Sequence, residues 1–244
     1  MEWWTLPLLA GAGIGVGFLN VMAGGGSALS MPLLILLGLD PATANGTNRV
    51  AILIQNISAV DSFRRRGFFD PRQSLSLGLC TLPGAVAGAI LAVQIDPLLF
   101  RRILAVVLVV AMILIIRPPR KRVADRPRPV WAHVAAVGIG AYGGFIQAGV
   151  GFLLMPMLVG LMALDLVRAN MHKVFIVGCF TVPSLLVFAI SGNVWWLGGL
   201  ALSVGNAAGA RLGTRLTIDG GERAVRWVFV LAASLMAVKL ALAG

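Results

Sequence analysis

The chain has 244 residues, of which 59% are hydrophobic and 12% charged, and it carries a net charge of +11. Soluble domains carry about 25% charged residues, and so few charges cannot cover a water-exposed surface, so a soluble fold is excluded and the bilayer is the expected solvent. Nucleic acid is not the expected partner of the positive charge, because the lysines and arginines sit in short clusters between apolar runs and form no continuous basic face.

In chain order, apolar runs and breakers predict ten segments: 5–22, 25–38, 42–63, 73–94, 98–117, 130–148, 150–163, 166–190, 194–214 and 222–242. Eight are long enough to span a bilayer. The second and seventh are too short, which marks them as broken, tilted or re-entrant helices. Trp3, Trp4, Trp131, Trp195, Trp196 and Trp227 fall near segment ends, where amphipathic rings settle. Met1 to Trp4 lacks the basic stretch of a secretory signal, so the first segment is expected to persist as a span. Cys80 and Cys179 lie inside apolar runs and read as packing residues.

The polar, Pro- and Arg-rich stretch at the middle divides the chain into a first membrane repeat, 1–117, a cytoplasmic linker, 118–129, and a second membrane repeat, 130–244. Matches recur in order between the halves. Gly17-Phe18-Leu19-Asn20 answers to Gly144-Phe145-Ile146-Gln147, and Met31-Pro32 to Met155-Pro156. Leu39, Asp40, Ala44 and Asn45 answer to Leu164, Asp165, Ala169 and Asn170, while Gly84, Gly88 and Ala89 answer to Gly205, Gly209 and Ala210. Arg102 and Met112 answer to Arg226 and Met236, and five such matches in sequence order imply duplication.

Charge then orients the halves. The connection after the third segment is basic (Arg64, Arg65, Arg66, Arg72) and the next, Gln94 to Pro97, has no Lys or Arg. In the second half Ser191-Gly192-Asn193 is uncharged and Arg211 to Arg226 is basic. Because basic loops stay cytoplasmic, equivalent loops lie on opposite sides. The expected fold is therefore an all-α integral membrane protein, an inverted repeat of two five-segment helical halves with short broken helices after Gly-rich breaks. Both termini are expected outside; Arg101 and Arg102, at the outer start of the fifth segment, fit this least well.

Inverted repeats with interrupted helices place a substrate site at the repeat interface near the bilayer midplane. Gly24-Gly25-Gly26 and Gly149-Val150-Gly151 supply the breaks, exposing backbone N–H groups at positively polarised helix starts that suit an anion. Alternatively, these glycines serve only close packing. The following segments open with Asn45-Gly46-Thr47-Asn48-Arg49 and Asn170-Met171-His172-Lys173. Arg49 and Lys173 lie about 12 Å into their segments at about 1.5 Å per residue, a depth at which a charge faces a cavity or a partner. An anionic substrate would compensate both; pairing with backbone carbonyls or snorkelling is the alternative. Asn20 and Gln147 add amides able to bind oxyanions, and His172 is a further candidate. The candidate substrate-binding set is Asn20, Gly24, Gly25, Gly26, Thr47, Asn48, Arg49, Gln147, Gly149, Gly151, His172 and Lys173. No metal-ligand spacing, catalytic triad or Walker motif occurs, so neither an enzyme nor a cofactor is expected.

On Gly17-Phe18-Leu19-Asn20, Ala23-Gly24-Gly25-Gly26, Pro32, the run from Ala44 to Arg49, and Gly144-Phe145-Ile146-Gln147 followed by His172-Lys173, the chain resembles the TauE/SafE family of sulfite exporters over nearly its whole length. The resemblance implies transport of sulfite, sulfonates or other sulfur-containing organic anions across a prokaryotic inner membrane. Val150 interrupts the second glycine triplet, so the two half-sites are expected to be unequal. The expected function is secondary transport of small anions by alternating access, against an anion channel or a non-transporting membrane subunit. The expected partners are the anion and membrane lipids, and a homodimer is compatible with the sequence.

Overall fold

The computed structural model describes residues 3–116 and 126–242, which form nine α-helices. These are α1 (Thr5–Ala23), α2 (Ser27–Leu36), α3 (Pro41–Arg65), α4 (Pro71–Gln94), α5 (Pro97–Ile116), α6 (Pro129–Phe145), α7 (Val150–Gly160), α8 (Leu166–Ile190) and α9 (Trp196–Leu242). The linker expected at 118–129 falls largely on 117–125, outside the described residues, as do the side chains of Arg223, Arg226 and Trp227. Three described helices, Thr5–Met22, Pro71–Gln94 and Leu166–Ile190, are long and apolar enough to cross a membrane.

Helix starts follow from local chemistry. Asp40 accepts from the N–H groups of Ala42 and Thr43, and Asp165 from those of Val167 and Arg168, all at 2.9–3.0 Å, which satisfies otherwise orphaned donors. Proline in the first turn, where no N–H is needed, opens α3, α4 and α6. Both α3 and α8 run for 25 residues, and each is followed by a glycine with positive φ, Gly67 at +81° and Gly192 at +74°.

One expectation fails. The ninth and tenth predicted segments are a single 47-residue helix, α9, so the second half has four described helices where five were expected. Pro183 is the last proline in the sequence, and glycine inside a helix costs only about 1 kcal/mol, too little to end α9 between Arg211 and Arg226. Arg101 and Arg102 lie exposed at the start of α5. Asp61 pairs with Arg65 at 2.9 Å, one helical turn on.

Contacts fix the helix directions. Gly46 and Arg49 lie against Phe188, Asn56 against Gly178, and Ala59 and Phe63 against Met171 and Val174, so α3 and α8 are antiparallel. Thr47 meets Gly199, Gln55 meets Asn206 and Ser58 meets Ala207, so α9 runs parallel to α3. Ser74 with His172, Gly78 with Cys179 and Ala85 with Ser184 make α4 parallel to α8.

Small residues bring α1 onto α9 and α4 onto α6, and these contacts repeat when the halves are exchanged. A Cβ on Gly84 would strike Val137 O and Ala141 N; one on Gly205 would strike Ala10 O and Ile14 N. Gly88 lies on Ala141 and Phe145 as Gly209 lies on Ile14 and Phe18. Such glycine stripes let helix backbones touch where lipid leaves no hydrophobic driving force between helices.

The short helices fold back. Gly26 sits beside Val16 O and Asn20 N while Leu34 shares a cluster with Leu9, which makes α1 and α2 a hairpin. Arg128 N–H donates to Leu161 O at 2.6 Å, tying the start of α6 to the end of α7 in a second hairpin.

Candidate functional site

The two hairpin tips meet. A Cβ on Gly24 would lie 2.6 Å from Gly151 Cα, so only glycine at both positions permits the contact. Gly24 closes α1 at φ +76° and Gly149 opens α7 at φ +75°, both in the left-handed region that glycine enters without strain. The breaks are unequal. α1 stays helical through Asn20 to Ala23, whereas α6 ends at Phe145 and leaves Ile146, Gln147 and Ala148 before Gly149.

Each broken helix end is held by a cation from the other half. Arg49, on α3, donates from Nη1 to Gly143 O at 3.1 Å and to Gln147 Oε1 at 2.9 Å, and from Nη2 to Gly144 O and to Asn45 Oδ1. Its guanidinium also lies 4.6 Å from the Phe188 ring centroid. Lys173, on α8, donates to Asn20 O at 3.0 Å and Val21 O at 2.7 Å. Both cations thus sit at the negative ends of helices; Asn20 O also accepts from the capping Gly24 N–H at 2.9 Å. Capture by backbone carbonyls, the alternative raised by the sequence, describes the arrangement. The acceptors around Arg49 are all neutral, so its positive charge stays in the centre of the molecule.

Asn20 bridges its own break. Its Oδ1 accepts from Ser27 N–H at 3.0 Å, and its Nδ2 donates to Gln55 Oε1 at 3.0 Å; Gln55 also accepts from Asn206 Nδ2 at 3.2 Å. Gln147 donates from Nε2 to Thr181 Oγ1 at 3.1 Å. Between these groups lies a cavity of about 20 Å³ lined by Asn20, Gly24, Gln147, Gly151 and Lys173 of the expected set. Ser27, Gln55 and Asn56 also line it and were missed; the signal for Gln55 and Asn56 was polar side chains in the middle of a membrane-depth helix, whereas Ser27 opens α2. The volume holds roughly one water molecule, less than a sulfite ion needs.

The rest of the set is distributed around this centre. Gly25 and Gly26 are buried in the first break. Asn48 accepts from Ser30 Oγ at 2.6 Å, and Thr47 Oγ1 accepts from Trp195 N–H at 2.9 Å. Asn48 Nδ2 and Arg49 Nε are buried donors without a protein acceptor among the described residues. His172 Nδ1 lies 2.8 Å from Ser74 Oγ and borders a separate cavity of about 300 Å³, which Phe69, Asp70, Arg168 and Met171 also line.

Thr47 and His172 occupy equivalent positions, and their surroundings differ by side-chain size. At Gly46 the connection after α8 lies directly on α3, with Asn193 O where a Cβ would be. At the equivalent Met171 and His172, bulky side chains hold the connection after α3 away from α8, and the cavity fills the gap. The α8 connection thus packs onto α3 at Gly46, while the basic face is indented beside His172.

Residues 9–240 match the family described as Sulfite exporter TauE/SafE. The Probable membrane transporter protein YfcA of Escherichia coli (strain K12) is 30% identical over 229 residues, which cover 92% of this chain and 85% of the relative. The Probable membrane transporter protein ORF9 of Sinorhizobium sp. is 28% identical, covering 92% of this chain and 87% of its own. A Probable membrane transporter protein of Haemophilus influenzae is 24% identical, over 96% of this chain and 94% of its own. No solved structure matches. With a family match across nearly its whole length and apolar helices able to span a bilayer, this chain belongs to the TauE/SafE sulfite exporter family, as a membrane transporter and not an enzyme.

Proposed function

We propose that the protein is a multi-pass inner-membrane secondary transporter that moves small anions, sulfite, sulfonates or related sulfur-containing organic anions, by alternating access between two inverted repeats. The observation that carries this reading is the meeting of the two hairpin tips, each pinned by the opposite half's cation, around one cavity lined by both halves. Inversion is supported by α3 and α8, equals in length and capping that run antiparallel, and by the exchanged contacts of α4 with α6 and α1 with α9.

The anion would sit between the tips, with Asn20, Gln147 and Lys173 facing it. The free donors Asn48 Nδ2 and Arg49 Nε and the uncancelled charge of Arg49 make the region electropositive in a low-dielectric setting, where one negative charge is strongly favoured. Because the cavity admits only about one water, loading requires the halves to part. That requirement favours a carrier over an open pore. The indented basic face beside His172 and the sealed face beside Thr47 suit two ends of an alternating cycle.

The test is flux of radiolabelled sulfite and a short alkylsulfonate in proteoliposomes, with Asn20→Leu and Gln147→Leu beside the parent. Saturable flux in the parent that both variants lose is expected. Flux that rises linearly with concentration and ignores both substitutions would reject the carrier and its site together. Single cysteines at Arg65 and Ser191 should react from opposite membrane sides; reaction from one side would reject inversion.

A further inference from the structure

On the basic face, the end of α3 and the middle of α9 enclose a cavity of about 270 Å³ lined by Asp61, Ser62, Arg65, Arg211 and Arg215. Arg65 is engaged by Asp61 at 2.9 Å, and among the described residues Arg211 and Arg215 form no ion pair. An Arg66–Asp219 ion pair beside the cavity ties the same two helices together. Arg211 and Arg215 are one turn apart and exposed on α9, so two guanidinium groups converge on one concave site.

The duplicated architecture supplies a control within the molecule. Carrying the α3–α8 and α4–α9 correspondences across, Asp61, Arg65, Arg211 and Arg215 fall on Leu186, Ile190, Ile90 and Gln94 of the opposite face. Three of those four are exposed apolar side chains, Leu186 at 57%, Ile190 at 86% and Ile90 at 41%. The scaffold therefore builds the same corner from hydrocarbon where it faces the other leaflet. Charge at this corner is not a folding requirement; it belongs to one membrane face.

We propose that this cavity is a binding site for the headgroup phosphate of an anionic phospholipid such as phosphatidylglycerol. Guanidinium groups bind phosphate oxygens through paired, charge-assisted hydrogen bonds. Basic pockets between transmembrane helices on the cytoplasmic side bind such headgroups, and each nearby Arg contributes about fivefold in affinity. Ser62 adds a hydroxyl donor, and exposed Ile57, on the turn of α3 nearer the membrane centre, offers an apolar surface for an acyl chain. The site sits where α3 of one half meets α9 of the other, so an occupied site would brace the joint between halves. The proposal stands independently of which anion is carried.

The experiment is native mass spectrometry of the detergent-purified protein titrated with equal amounts of phosphatidylglycerol and phosphatidylethanolamine. The parent should retain phosphatidylglycerol preferentially, and Arg211→Gln with Arg215→Gln should lower that retention about twenty-five-fold, two arginines at about fivefold each. Arg211→Lys with Arg215→Lys should restore most of it, and Arg101→Gln with Arg102→Gln, on the other face, should leave it unchanged. Equal loss in the Arg101 and Arg102 variant, unchanged retention in the Arg211 and Arg215 variant, or displacement of the lipid by millimolar inorganic phosphate would overturn the proposal. A photoactivatable phosphatidylglycerol added to the parent gives a readout free of any folding defect. Label on the α3 end and on α9 near Arg211 is expected, and label confined elsewhere would reject the site.

Discussion

Arg49 and Lys173 perform the same task for opposite halves: Arg49 leaves α3 to bind the last carbonyls of α6, and Lys173 leaves α8 to bind the last carbonyls of α1. A carbonyl at a helix end in a membrane needs a donor, and these two residues supply or supplement it from the other half of the chain. Lys173→Met keeps the side-chain volume and removes two interhelical hydrogen bonds, each worth about 0.6–1.7 kcal/mol. A loss of roughly 2 kcal/mol is expected, read as a lower midpoint of thermal unfolding in detergent, together with loss of anion flux. Arg49→Met should behave alike, and Arg49→Lys should recover stability more than flux, since a lysine cannot span Gly144 and Gln147 with a planar fork. A stable Lys173→Met protein with parental flux would remove the residue from the mechanism.

Gly24→Ala places a methyl group 2.6 Å from Gly151 Cα and asks alanine to hold φ at +76°. The left-handed backbone costs about 1–2 kcal/mol and the overpacking about 1–3 more. Flux is expected to fall below detection while protein still inserts. Gly38→Ala, also at positive φ but with open space around it, should lose stability only. Equal flux losses in the two variants would mean that backbone strain, not the contact of the tips, matters.

Gln55→Leu strands the amide donor of Asn206 and leaves Asn20 Nδ2 only its 3.4 Å contact with Ser27 Oγ, since both now end on Gln55 Oε1. Burying donors without acceptors costs about 1–3 kcal/mol each before rearrangement. The expected result is at least a tenfold rise in KM for the anion with the unfolding midpoint shifted by less than for Lys173→Met. An unchanged KM would show that the cavity wall at Gln55 does not contact the anion.

Gly46→Ala tests the sealed face. Its Cβ would displace Asn193 O and lift the connection after α8 off α3. A cysteine at Thr47, tested in this background against a membrane-impermeant thiol reagent, should react faster than in the parent background. No change in rate would show that the seal lies elsewhere.

Much of the helical layout is legible in the sequence because its punctuation is local. Asp40 and Asp165 before the long buried helices, and prolines at first-turn positions, set ends that need no tertiary information. The α8 limits, 166–190, agree with the expectation residue for residue. The boundary between the ninth and tenth segments was misplaced because basic residues and two glycines mark a loop only when a helix breaker accompanies them. The candidate site was legible as a set of residue types and not as a set of partners. Depth identifies Arg49 and Lys173 as charges that need company, yet the carbonyls that provide it lie roughly a hundred residues or more away in the chain. Gln55 and Asn56 were overlooked because α3 also carries Asn45, Asn48 and Ser58, so no single amide stood out.

The crossed capping leaves neither half self-sufficient. Severed after residue 116, the N-terminal portion would keep Arg49 but lose Gly143, Gly144 and Gln147, and the end of α1 would lose Lys173. The shortest remedy for such a fragment is a second copy threaded upside down beside it, each lending the other its guanidinium. Under the inverted-repeat reading proposed above, a gene for one half would have needed to enter the bilayer in both directions before fusion.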